Sequence, residues 1–545
     1  MKKEKLSGLG SGLLLSLCLS FLVCIYAPLE LYLTNISEFW IKTSEYVPAC
    51  LIMFFAVLIA GVIGFTVVRL INKNLYNICL VIGGAVLLGM YIQGNFLIKN
   101  LPDMEGTVVN WGDYPIERLK SIIAFAVPVV IFAVLLIVLK SEKFRKVVLV
   151  ESGVLFLLFA ITLSTLFITT DTKSVETVIP TTKGEFDMSE DSNYIIFLLD
   201  AVDGQKLKNA VENRPEVKAS LDGFTYYEDA FAAYPCTSRS IPLIFSGKWF
   251  ENTEPFTKYK NNSMANSPLI NSLEKKGYSI GIYEEKFELD KASFDNKFVN
   301  YFPSKIIYNV KMFQAVIKMG GIKFFPWDLK QFTWNVQKTL TFCKKTETEY
   351  DNFTWSNTDF YNTVTGENPF TKSDTKCARY IHISGAHSPF EYDKDMNTIT
   401  NGTYDDNIEA CVTIIGEYIK ALKENGYYDN TAIVILADHG YNGDDIKNEL
   451  KRMNPVFMVK GFGEKHELKY SSAPISYIDV ADALTKLSDG ASGDSIFDVA
   501  ENEVRTRRAL LYKFNRENHM WEITSDGKAS DYSVMKETGK NFDSK

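Results

Sequence analysis

Five long apolar runs open the chain, at about 8–30, 47–71, 75–97, 121–140 and 147–168. Each reaches the roughly 20 residues that a helix needs to cross a bilayer. The polar segments between them alternate in charge. MKKEK, RLINKN and KSEKFRK are basic, whereas NISEFWIKTSEY and NLPDMEGTVVNWGDYPIERLK are mixed. Basic short loops mark the cytoplasmic side. The pattern therefore predicts five transmembrane helices over 1–170, with the N-terminus inside and everything after about residue 170 outside. A cleaved signal peptide is the other reading of the first run. If the third run were a buried helix instead, the C-terminal part would turn to the cytoplasm.

Residues 171–190 are polar and read as a linker, which leaves 191–545 as an extracytoplasmic domain. There the pattern shortens. YIIFLLD (194–200), ARYIHISG (378–385), TAIVILADHG (431–440) and NPVFMVKG (454–461) are brief continuous apolar stretches. Such stretches read as strands buried on both faces. Between them lie helical patterns such as YDDNIEACVTIIGEYIKALKENG, which stops on a glycine. Alternating strand and helix predicts an α/β/α sandwich. RALLYKFN and MWEIT alternate around a turn and predict a small C-terminal β hairpin. Residues 306–334 are apolar and aromatic with scattered lysines. They read either as an amphipathic segment lying in the membrane interface or as a helix covering the sheet.

Composition changes this picture little. A net charge of −8 without a dominant basic tract excludes nucleic acid as the natural partner. Cys236, Cys343, Cys377 and Cys411 lie in the outer part, where they could form two disulfides in three pairings.

Sites in open α/β sheets form at the carboxyl ends of strands. Here those ends carry Asp200, the pair Asp438 and His439, and, a few residues on, His387. Adjacent oxygen and imidazole ligands suit a divalent cation. Upstream of two of these strands, YPCTSRSIPLIFSG (234–247) sets Cys236, Thr237, Ser238 and Ser240 within five residues.

FLLDAVD, TSRSIPLIFSG, GAHSPF and LADHG, in that order, resemble the alkaline phosphatase/sulfatase superfamily. The likeness is greatest to its membrane-anchored branch of phosphoethanolamine transferases and lipoteichoic acid synthases. That resemblance implies a sulfatase-like domain and selects Thr237 as nucleophile, ten residues before Gly247. Cys236 lacks the C-x-P-S-R setting of a sulfatase cysteine. The resemblance also implies one divalent ion (zinc or manganese, or else magnesium) held by Asp200, Thr237, Asp438 and His439. His387 would bind phosphate or protonate the leaving group. Asp200 departs from the branch, which has glutamate there. Arg239 and Arg452 are further phosphate-binding candidates as planar donors. The activity implied is transfer of a phospho-headgroup, glycerol phosphate or phosphoethanolamine, from a membrane phospholipid to a cell-envelope glycan, lipid or polymer. The rivals are a sulfatase or phosphodiesterase hydrolase with the same site, and a sulfatase-like membrane scaffold.

Overall fold

The computed structural model describes residues 8–36, 39, 41–99, 101, 109–172, 177–285, 287–294, 296–334, 336–346, 348–441, 449–512 and 519–543. MKKEK, part of the segment before the fourth run, and the KFN of RALLYKFN lie outside the described residues. The chain divides into two compact units. The first is Met1–Val175 with Lys305–Lys345; the second is Glu176–Ser304 with Thr346–Lys545.

In the first unit, four helices among the described residues are long and apolar enough to cross a membrane. They are α1 (Gly10–Thr34), α2 (Thr43–Ile71), α3 (Lys73–Phe96) and α4 (Pro115–Thr169). The fourth and fifth apolar runs both fall in α4, which breaks at Lys140 (φ 57°, ψ 164°). In a straight helix Phe132 and Phe144 would be about 18 Å apart. Their ring centroids are 6.2 Å apart, so the two legs of α4 fold back on each other.

The amphipathic stretch 306–334 does not cover the sheet. Its helix α5 (Val310–Phe324) buries Met312, Val316, Met319 and Ile322 in the core of the helical unit. Lys323 pairs with Glu30 at 2.6 Å. Gly320 permits the close approach to α1, because a Cβ there would sit 2.4 Å from the Val23 carbonyl oxygen. Periodicity defines an apolar face but not its partner, which is why sequence left this segment open.

The second unit is built on a seven-stranded sheet. Its strands are β1 (Asn193–Leu199), β2 (Thr225–Tyr227), β3 (Ser279–Tyr283), β4 (Cys377–Ile383), β5 (Thr431–Leu436), β6 (Phe457–Lys460) and β7 (Lys469–Ser471). Their spatial order is β7-β2-β6-β5-β1-β4-β3. Only β6 runs antiparallel to its neighbours. One face of the sheet packs on α6 (Thr237–Ser246) through Ile241, Ile244 and Phe245. The other packs on α7 (Tyr404–Glu424) through Ile408, Val412, Ile415 and Ile419. Strand side chains alternate between faces, so Ile196, Leu198, Tyr380 and Ile282 share the α6 face.

Two expectations need correction here. The 171–190 stretch is not a plain linker: Thr177–Pro180 and Asp187–Ser189 are strands. The first pairs with Tyr301–Ile306, and its Val178 and Ile179 are buried, as a β-branched apolar pair favours. Residues 173–176 of that stretch are outside those described. The C-terminal hairpin is a three-stranded meander of β8 (Arg507–Tyr512), β9 (His519–Ser525) and β10 (Lys536–Asp543). β10, KETGKNFD, is exposed along nearly its whole length and so carries no hydrophobic alternation.

All eight cysteines are free. Cys236 contacts the Tyr512 hydroxyl, Cys377 donates to the Thr375 carbonyl at 3.3 Å, and Cys411 is buried in α7. Cys343 belongs to the helical unit. None of the three possible pairings is formed.

Candidate active site

β1, β4 and β5 run parallel and in register, with Leu199 beside Ile383 and Leu198 beside Leu436. Their carboxyl ends are level, so the residues that follow converge. Asp200 and Asp438 continue the even-numbered positions that face α6. Asp200, Asp438 and His439 each offer a ligand atom within 4.8 Å of the others, and all three are buried. Their donor set fits a divalent cation. Asp200 Oδ1 and Asp438 Oδ2 are buried without hydrogen-bond partners, a costly arrangement unless a cation faces them. Asp438 Oδ1 accepts the Ala201 N–H at 3.1 Å, which turns Oδ2 inward. His439 Nδ1 lies 2.8 Å from the Gly440 carbonyl. That bond places the proton on Nδ1 and leaves Nε2 as the ligand atom.

The four nucleophile candidates now separate. Thr237 is the first residue of α6, with Cys236 as the N-cap residue in extended conformation. Its hydroxyl donates to Asp200 Oδ2 at 3.3 Å. It stands at a helix N-terminus, where unpaired N–H groups and the helix dipole favour an anionic group. Cys236 turns to Tyr512, Ser238 is exposed, and Ser240 is buried, its hydroxyl donating to the Tyr234 carbonyl at 3.4 Å.

His387 stands on the loop after β4, its Nδ1 2.6 Å from the Ser388 carbonyl and its ring 5.3 Å from Trp355. It lines a cavity of about 330 Å³ together with Glu285, Trp355, Glu391 and Tyr392. That loop is locked to β1. Ala386 N–H donates to the Asp200 carbonyl at 3.0 Å, and the Asn357 side chain bonds both the N–H and the carbonyl of Gly385 at 2.8 Å. Gly385 has φ +53°, and a Cβ there would lie 2.6 Å from the Asp200 nitrogen and 2.7 Å from its oxygen. Gly385→Ala should cost about 1–2 kcal/mol for the left-handed backbone and about 1–3 kcal/mol for overpacking. Thermal unfolding checks this: the unfolding temperature should fall by several degrees, and an unchanged one would remove the argument for this close approach.

The two arginines have these neighbours. Arg239 is buried among Phe250, Phe256 and Tyr512, 4.3 Å from the last ring centroid. Arg452 donates to the Pro235 carbonyl at 3.0 Å and so braces the entry to α6. A planar guanidinium suits a ring stack or a backbone carbonyl as well as it suits phosphate. His466 is in a loop beside Glu464 at 3.7 Å and is not in the Asp200 group.

Glu284 was missed, and the sequence leaves open which face His382, inside its strand, presents. His382 is buried on the α6 face with Nε2 3.3 Å from Asp200 Oδ2. That contact is close but too poorly aligned to count as a hydrogen bond. Its Nδ1 contacts Glu284, which follows β3 and is 2% exposed. Burial alone would lower the His382 pKa, but Glu284 and then Asp200 outweigh it and push it up to about 10. Burial would likewise raise Asp200, yet His387, His382 and His439 hold its carboxyl well below the usual range. The available signal was YSIGIYEE, an apolar run ending on carboxylates, as YIIFLLD does.

Residues 192–490, more than half of the chain, match the sulfatase family, and the chain belongs to it. They form a domain of the sulfatase/alkaline phosphatase superfamily. No curated protein matches. Similar solved structures include Ps i-CgsB, at 15% identity over 62% of this chain and 83% of that one (TM-score 0.41). PsFucS1 sulfatase from Pseudoalteromonas sp. is 12% identical over 64% and 82% (TM-score 0.39). The C-terminal periplasmic domain of EcEptC from Escherichia coli is 13% identical over 61% and 92% (TM-score 0.33).

Proposed function

We propose that the chain is a membrane-anchored, metal-dependent phosphotransferase acting on the extracytoplasmic side. It would cross the membrane five times, the two legs of α4 being separate spans. Its reaction would move glycerol phosphate or phosphoethanolamine from a membrane phospholipid to a hydroxyl of a cell-envelope glycan, lipid or polymer. The observation that carries this reading is the Thr237 hydroxyl, at a helix N-terminus and 3.3 Å from a carboxylate of the buried Asp200–Asp438–His439 group. A threonine hydroxyl is a weak nucleophile without activation. A bound divalent cation would lower its pKa and offset charge on the phosphoryl oxygens.

The chain's own residues would do the rest. Asp200 Oδ2 accepts the Thr237 proton, and the N-terminus of α6 faces the phosphoryl group. His387 Nε2, opposite its anchored Nδ1, protonates the leaving oxygen as Thr237 bonds to phosphorus; in the second half the acceptor hydroxyl gives its proton to His387 and attacks phosphorus, and the released Thr237 oxygen takes its proton back from Asp200. The cavity beside His387 carries Glu285 and Glu391 and, among the described residues lining it, no lysine or arginine. It therefore suits the neutral or cationic part of a headgroup and not its phosphate. Family membership favours a second reading, hydrolysis of a sulfate or phosphate ester at the same site.

Mass spectrometry of Thr237 after incubation with donor vesicles tests the nucleophile, and release of the adduct to an acceptor hydroxyl and not to water separates the two. An adduct of 154 or 123 Da, by the mass arithmetic of glycerol phosphate or phosphoethanolamine less water, is roughly what transfer requires. Turnover without any adduct on Thr237 would reject the transferase reading.

A further inference from the structure

We propose that Glu284 is a positioning residue for the cation centre: through the His382 ring it fixes the Asp200 carboxylate, so that Oδ1 faces the cation. This rests on reading Asp200, Asp438 and His439 as that centre. β3, β4 and β1 are consecutive in the sheet and parallel. Ile381 is level with Tyr283, and His382 with Leu198. Residues level with each other on parallel strands share a face. Glu284 and His382 are therefore level, and Asp200 lies two residues beyond Leu198 on the same face. Glu284, His382 and Asp200 are 2%, 1% and 0% exposed.

Each contact among the three uses a different atom. Glu284 Oε2 contacts His382 Nδ1, and His382 Nε2 lies 3.3 Å from Asp200 Oδ2. The same Oδ2 takes the Thr237 hydroxyl at 3.3 Å from the other side. The Thr237 hydroxyl thus bonds Oδ2, the His382 ring stands against the same oxygen, and Oδ1 is left buried without a hydrogen-bond partner. A carboxylate rotates broadly about its terminal torsion, and so does an imidazole. Asp200 needs an external stop to present Oδ1, and His382 needs one to serve as that stop. Glu284 supplies it, while Trp355 stacks edge-on to the His382 ring at 5.5 Å. Burying three ionisable groups together is expensive if strand pairing is their only purpose. Outer partners of this kind typically change metal affinity by 10–100-fold.

The test is Mn²⁺ titration of the full-length protein in detergent by calorimetry, with the unfolding temperature of the metal-free protein measured beside it. Glu284→Gln should weaken Mn²⁺ binding by about 10–100-fold while the metal-free protein unfolds within a few degrees of wild type. Glu284→Asp should recover part of the loss. Glu284→Gln combined with His382→Gln should bind no more weakly than His382→Gln alone, because both act along one path. Wild-type affinity in Glu284→Gln, or losses that simply add in the double variant, would overturn the proposal. If Glu284→Gln does not fold, His382→Gln and Glu284→Asp are read in its place. Failure of all three to fold shows a structural role and also overturns it. Wild-type protein that binds no divalent cation overturns the cation centre itself, a result distinct from the others.

Discussion

Thr237→Ala leaves no measurable transfer, while Cys236→Ser retains much of it. The expectation follows from where the four hydroxyl and thiol groups of 236–240 point. Only Thr237 among them reaches Asp200, and Cys236 packs against Tyr512 on the side of the core. Removing a nucleophile that works as part of a unit costs several orders of magnitude, roughly 10³–10⁶ in kcat. The loss is not an effect on folding. Thr237 is half-buried, and its hydroxyl bonds the Asp200 carboxylate. Thr237→Ser should keep part of the rate, since the hydroxyl stays and only the methyl that restricts its rotamer is lost. Radiolabelled donor assays with single-turnover quenching measure all three variants. An active Thr237→Ala together with an inactive Cys236→Ser would falsify both the nucleophile and the reaction class.

Asp438→Asn abolishes metal binding and turnover and yet does not destabilise the metal-free protein. The asparagine oxygen can still accept the Ala201 N–H that Asp438 Oδ1 accepts at 3.1 Å. What disappears is the charge on Oδ2, which is buried without a hydrogen bond, 3.3 Å from His439 Nε2. An uncompensated buried carboxylate is a burden on the empty protein, so its removal leaves the metal-free unfolding temperature equal or higher. Wild type should gain about 2.7 kcal/mol of stability at a cation concentration 100 times Kd; the variant should gain none. Metal content by mass spectrometry and paired melting curves check this. Stoichiometric metal in the purified variant would sink the ligand assignment.

How much of this was legible from sequence depended on what each feature needs. Asp200 and Asp438 end short apolar runs, and the carboxyl end of a strand is where a site forms. The motif order then pointed to Thr237. Glu284 and His382 needed more. Their meeting depends on β3 lying next to β4 and β4 next to β1, and neither neighbour relation is written in local pattern. Once the register is known, alternation alone puts His382 on the α6 face with Tyr380 two residues before it. Arg239 and Arg452 show how little residue type alone says: aromatic rings surround the one and the Pro235 carbonyl takes a bond from the other, neither of which local pattern reveals. The strand Thr177–Pro180 was hidden because four residues are too few for periodicity to rise above a polar surrounding.

The excursion Lys305–Lys345 changes what it means to separate the soluble part of this protein. A cut near residue 176 removes the long apolar helices but keeps α5, with Met312, Val316, Met319 and Ile322 stripped of the core that covers them. Such a fragment carries a sticky amphipathic arm in its middle. The arm also has a narrow base: the Ile307 N–H donates to the Cys343 carbonyl at 2.8 Å, so the chain leaves and returns at one place. A short turn joining these two points would excise the arm with little entropic cost, since closing a shorter loop is easier. The sulfatase-family unit is thus separable by two edits and not by one, and evolution could exchange its apolar helical partner as an internal cassette as well as at the N-terminus.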